Sequence, residues 1–88
     1  MHAVVVDVSI SDVEEAQREL RERVIPMVSQ VPGFVSGFWM EAGPGKGHSV
    51  VMFESEEAAN QMAEQVRANP RSAVEIESVA VRAVVAHA

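Results

Sequence analysis

Four runs of β-branched and aromatic residues carry apolar side chains at odd and even positions alike. Residues 3–10 are Val-rich on both sides apart from Asp7 and Ser9. Residues 34–41 set Phe34, Phe38 and Met40 against Val35 and Trp39. Residues 48–54 set Val50 and Met52 against Val51 and Phe53, and residues 74–86 set Val79, Val81 and Val85 against Ile76, Ala80 and Val84. Side chains alternate across a strand, so a sheet with one wet face reads apolar and polar in turn. A sheet built from these runs needs cover on both faces.

The segments between the runs supply only part of that cover. Ser11-Asp12-Val13-Glu14 has the capping-box spacing, which predicts a helix starting there with Ser11 as cap. Val13, Ala16, Leu20, Val24, Met27, Val28 and Val31 then recur at three- and four-residue steps, with Glu and Arg on the remaining arc. Pro26 removes an N–H and crowds the carbonyl of Glu22, which predicts a kink or break, and Pro32-Gly33 ends the helix. The Gly- and Pro-rich segment 42–47 joins the second and third runs as a hairpin. Ser55 caps a second helix whose stripe is Ala58, Ala59, Met62, Ala63 and Val66, and Asn69-Pro70 stops it. The last run is a long strand, expected to bend near Ala80.

Strand, helix, strand, strand, helix, strand is the order of the ferredoxin-like βαββαβ unit, an α+β fold in which a four-stranded antiparallel sheet carries both helices on one face. At 88 residues, 1–88 reads as a single domain. Two helices on one face leave the other bare, and the economical cover for an apolar sheet face is a second copy stacked on it. The expected state is a homodimer.

Composition narrows the partners. Seven Lys and Arg against 13 Asp and Glu give a net charge of −6, which disfavours nucleic acid and anionic membranes. There is no Cys, so disulfides and thiol chemistry are excluded. Residues 1–10 lack a basic start and carry Asp7 within the apolar run, so they read as neither signal peptide nor membrane span, and a cytoplasmic location is expected.

Three features together resemble a known family. They are the Val-rich first strand, Pro32-Gly33-Phe34 closing the first helix into the second strand, and Phe53-Glu54-Ser55-Glu56-Glu57-Ala58, which is similar to an aromatic-x-Ser-x-Glu-Ala entry into the second helix. These resemble the antibiotic biosynthesis monooxygenase (ABM) domains of the dimeric α/β-barrel superfamily, over nearly the whole chain. The resemblance implies a ligand pocket between sheet and helices of each protomer. It also implies a choice of activities: cofactor-independent oxygenation of phenols or quinols, heme degradation, or no reaction at all. The heme degraders' His on the second helix has no counterpart in residues 56–68, and the oxygenases' Tyr is absent from the chain. No cofactor is expected.

Trp39, beside Phe38 and Met40, offers a flat surface for a planar aromatic ligand, and Met52 and Met62 offer adaptable lining. Core or interface packing is the simpler account of each. Gly37 shares the parity of Trp39 and leaves open space beside the indole. His48, where the Gly-rich turn enters the third run, is the candidate general base, since its imidazole titrates near neutrality. Three scattered His residues without carboxylate spacing predict no metal site. Asp7, in mid-strand, needs a partner, and Arg82 on the neighbouring last strand is the expected one. Two functions stay open: a monooxygenase-like protein acting on a small phenol- or quinol-type aromatic, and a non-catalytic module binding a hydrophobic metabolite or a protein partner.

Overall fold

The computed structural model describes residues 1–69 and 73–88. Strand β1 (His2–Ile10) leads into a continuous helical stretch made of α1 (Val13–Glu19), a π-helical segment (Leu20–Val24) and α2 (Ile25–Ser29). Strands β2 (Phe34–Gly43) and β3 (Lys46–Phe53) form a hairpin, α3 spans Glu56–Ala68, and β4 (Val74–Ala83) completes the sheet. The sheet order is β2-β3-β1-β4 with every neighbouring pair antiparallel, the arrangement expected of a ferredoxin-like unit.

The helix starts show which local signals won. Ser55 caps α3 as expected, its Oγ accepting from the Ala58 N–H at 3.1 Å. At α1 the cap is Asp12, not Ser11: Asp12 is extended (φ −135°, ψ 101°) and its Oδ1 accepts from the Glu15 N–H at 3.1 Å. Ser11 is drawn away by the sheet, its N–H and its hydroxyl both donating to the Ala73 carbonyl at 3.0 and 3.3 Å. Replacing Asp12 by Ala is therefore expected to lower stability by about 1 kcal/mol, while Glu14→Ala, which removes the supposed capping-box partner, lowers it by less than about 0.5 kcal/mol. Urea unfolding of the two variants checks this.

Pro26 does not end the helix, which continues to Ser29. The Ile25 N–H donates to the Leu20 carbonyl, five residues back, so the turn before the proline widens instead. At the far end of α3 the Asn69 side chain donates to the Gln65 carbonyl at 2.8 Å. Pro70, the other half of the expected stop signal, lies outside the described residues.

Strand register sorts the apolar residues that the sequence left on both faces. Val4, Val6 and Val8 of β1, Val51 and Phe53 of β3, and Phe34 and Trp39 of β2 face the helices, packing with Val28, Ala58, Ala59, Met62 and Ala63. Phe53 is fully buried and meets the Phe34 ring edge-on at 6.2 Å between centroids. On β4 the expected bend near Ala80 is instead a bulge: Asp7 pairs with Ser78 and Val8 with Ile76, leaving Glu77 as the extra residue. That one-residue slip brings Ile76, Val79 and Val81 all onto the helix side despite their mixed parity. Strand β4 also stops at Ala83, and Val85 beyond it is exposed.

The bare face is accordingly less apolar than the sequence suggests. Phe38 (56% exposed), Met40 (47%), Val50, Met52, Val5 and Ala80 form its apolar part, centred on β2 and β3. Its polar part includes His48 on β3, Asp7 on β1, and Ser78 and Arg82 on β4. No helix among the described residues is long and apolar enough to cross a membrane.

Candidate functional site

A cavity of about 390 Å³ lies between the sheet and the helices. Its walls are Val6 and Val8 from β1, Leu20 and Val24 from the π-helical segment, and Met62 and Val66 from α3. Known small-molecule pockets run from about 300 to 1,000 Å³ and are mainly apolar, so this cavity has the size and lining to take a small ligand.

Trp39 lies along one wall, and its orientation depends on Gly37. A Cβ at residue 37 would sit 2.7 Å from the indole Cη2, closer than atoms of real side chains approach. The open space that Gly37 leaves is thus taken by the indole, which lies across the glycine backbone. Gly47 plays a similar part on β3, where a Cβ would come 2.9 Å from Val8. The hairpin turn closes one end of the cavity, with Gly43 and Gly45 at φ +134° and +68°. The cavity's polar lining residues are few, and Ser49, opposite Trp39, is one of them. Gln17 and Glu41 are others, and Lys46 is engaged by Ser9 Oγ and Glu77 Oε2, each at 2.9 Å.

The structure divides the candidate residues between the two faces. Trp39 and Met62 present their side chains to the cavity. Phe38, Met40, Met52 and His48 alternate with the helix-facing positions, so their side chains project from the bare face, although Met40 and His48 also border the cavity. Among the described residues no group of three His, Cys, Asp or Glu could hold a metal ion.

On the bare face a polar cluster emerges that sequence reading missed. His48 Nδ1 lies 2.6 Å from Asp7 Oδ1, and Ser78 Oγ donates to Asp7 Oδ2 at 3.0 Å. The expected Asp7–Arg82 pair does not form: Arg82 stands opposite Ala3 and donates to the Val81 carbonyl at 3.2 Å. The register explains the difference, since Asp7 is paired directly with His48 on β3 and with Ser78 on β4. The signal was a lone Asp and a lone His at corresponding positions of two strands, readable only once those strands are known to be neighbours.

Asp7's carboxyl is held below its ordinary range, chiefly by the His48 hydrogen bond and then by that of Ser78. A lowered folded value means that the carboxylate adds stability above the unfolded value, about 3.9, and that this contribution is lost as pH falls through the lower folded one. Asp7→Asn is expected to be less stable than the parent at neutral pH, with the gap closing below about pH 4. Denaturant unfolding of both proteins at several pH values checks it, and a gap that stays constant into the acid range would contradict the linkage.

Two solved structures share this architecture. HapK from Hahella chejuensis superposes with a TM-score of 0.69 at 14% identity, over 100% of this chain and 96% of that one. The heme-degrader MhuD from Mycobacterium tuberculosis, solved with two hemes bound in its active site, gives 0.51 at 27% identity over 97% and 98%. The chain has the fold of the ABM-like dimeric α/β-barrel superfamily. At the level of sequence this ABM-like chain matches no family model and no curated protein. Nor do its residues fit a heme: α3 contains no His, the chain has no Tyr or Cys, and the His48 ring is turned away from the ABM-like cavity.

Proposed function

We propose that the cavity holds a small planar aromatic of the phenol or quinol type, as in a cofactor-independent monooxygenase-like protein, with Trp39 and Met62 as contacts. The observation that carries this reading is an apolar cavity of about 390 Å³ with an indole laid along its wall. An electron-rich phenol can itself reduce O₂. One oxygen atom enters a ring carbon as a quinone carbonyl, the other leaves as water with the two hydrogens lost, and the substrate supplies all four electrons. What the protein adds is orientation and exclusion of water.

The second reading is a binding module without catalysis. It is favoured by the position of His48, whose ring is engaged by Asp7 on the opposite face and so supplies no base inside the cavity. Oxygen-electrode measurements with a panel of phenols and quinols, alongside quenching of Trp39 fluorescence by 1-naphthol, separate the two. Uptake faster than buffer supports oxygenation. Quenching without uptake supports the module, and neither response removes both.

For assembly, we infer that the bare sheet face pairs two copies of the chain. Four strands about 4.8 Å apart, each eight to ten residues long at about 3.3 Å per residue, give the sheet a face of roughly 600 Å², the lower end of the ~600–1,000 Å² per partner that stable interfaces bury. Phe38 and Met40, on the edge strand β2, would supply its most exposed apolar contacts. Light scattering with size exclusion tests this, and a single-chain mass at high concentration would refute it.

A further inference from the structure

The bare face contains a titratable cluster that the cavity does not use. Asp7 and His48 are 45% and 34% exposed at their side chains, so both meet solvent in the single chain. Stacking a second copy on this face, which rests on the pairing reading above, would strip that water away. With the imidazole neutral, His48 donates from Nδ1 to Asp7 and the pair carries one net negative charge. With the imidazole protonated, the pair is neutral overall and keeps the same hydrogen bond. Burying a net charge is far more costly than burying a hydrogen-bonded neutral pair, and a two-fold interface would bury the cluster twice.

We propose that the Asp7–His48–Ser78 cluster couples pairing of two chains to proton uptake at His48, so that the dimer tightens as pH falls from 8 to 6.

The neighbouring charges do not supply this dependence. On β4 the same face carries Glu75, opposite Ser9, and Arg82, opposite Ala3, and the bulge residue Glu77 is bound to Lys46 of β3. Strand β2 contributes Ser36, Phe38 and Met40, none of which titrates. Glu, Lys and Arg side chains ordinarily keep their charge across pH 6 to 8, whereas His does not. Of the other imidazoles, His2 approaches Glu56 on α3 at 3.4 Å, and His87 lies beyond the end of β4. Ser78 fixes the second carboxylate oxygen, which keeps Asp7 aimed at the ring.

The test is sedimentation equilibrium of the unmodified chain at pH 8, 7 and 6 and constant ionic strength, with calorimetric dilution in two buffers of different ionisation enthalpy to count protons. The expected result is a dissociation constant at least about tenfold lower at pH 6 than at pH 8, net proton uptake on association, and a flat profile for His48→Gln. A dimer whose affinity is constant or weakens as pH falls, or a His48→Gln dimer that keeps the dependence, overturns the coupling and leaves pairing intact. A single-chain mass at every pH and concentration overturns pairing itself. Should His48→Gln not fold, the proton count on the unmodified chain decides alone: zero or negative uptake overturns the coupling.

Discussion

Replacing Phe53 by Ala is expected to remove about 3–5 kcal/mol of stability, enough to leave much of a domain this small unfolded at room temperature. The ring is fully buried, meets Phe34 edge-on, and lies at the end of β3 where the chain turns into α3. It belongs to a core cluster drawn from β1, β3, α2 and α3, so the space it leaves is bordered by several elements and cannot be closed by one side chain. Denaturant unfolding followed by far-ultraviolet circular dichroism reads the loss directly. A change below about 1 kcal/mol would mean that the site repacks, and that the Phe34–Phe53 contact is not central to the core.

Gly37→Val is expected to have the largest effect on ligand capacity. Even a Cβ would collide with the indole, and the two further methyl groups of Val force Trp39 off the sheet and into the cavity. Overpacking of this kind costs about 1–3 kcal/mol in stability, and loss of cavity volume should weaken aromatic binding by about tenfold or more. Trp39 is the only Trp, so its emission reports both events without labels. The expected signature is a shifted emission maximum with weakened quenching by 1-naphthol. Unchanged emission and unchanged quenching would show that the indole is not seated on Gly37.

Much of the fold was legible because its signals are local. The Ser55 cap, the Gly-rich hairpin, and the alternation of strand and helix runs each act within a few residues. Competition obscured the rest: Ser11 and Asp12 are adjacent and both able to cap, and a contact with Ala73, sixty-two residues away, decided between them. The bulge at Glu77 was equally hidden, yet it assigns Ile76 and Val79 to one face and so corrects the count of apolar groups on the other. The candidate site suffers most from this. Trp39 and His48 lie in neighbouring strands, and only the register reveals that their side chains point to opposite sides of the sheet.

The π-helical segment has a geometric consequence of its own. Ala16, Leu20, Val24 and Val28 advance in three consecutive steps of four, and in a regular α-helix each such step overshoots a full turn by about 40°, so the row would wander about 120° around the cylinder. A turn that takes in one extra residue resets the phase, and all four remain aligned along the cavity. Deleting one residue from 21 to 23 would leave Ala16 and Val28 eleven residues apart in an ordinary helix, within about 20° of alignment, so Val28 would keep its place on the wall while the wide turn disappears.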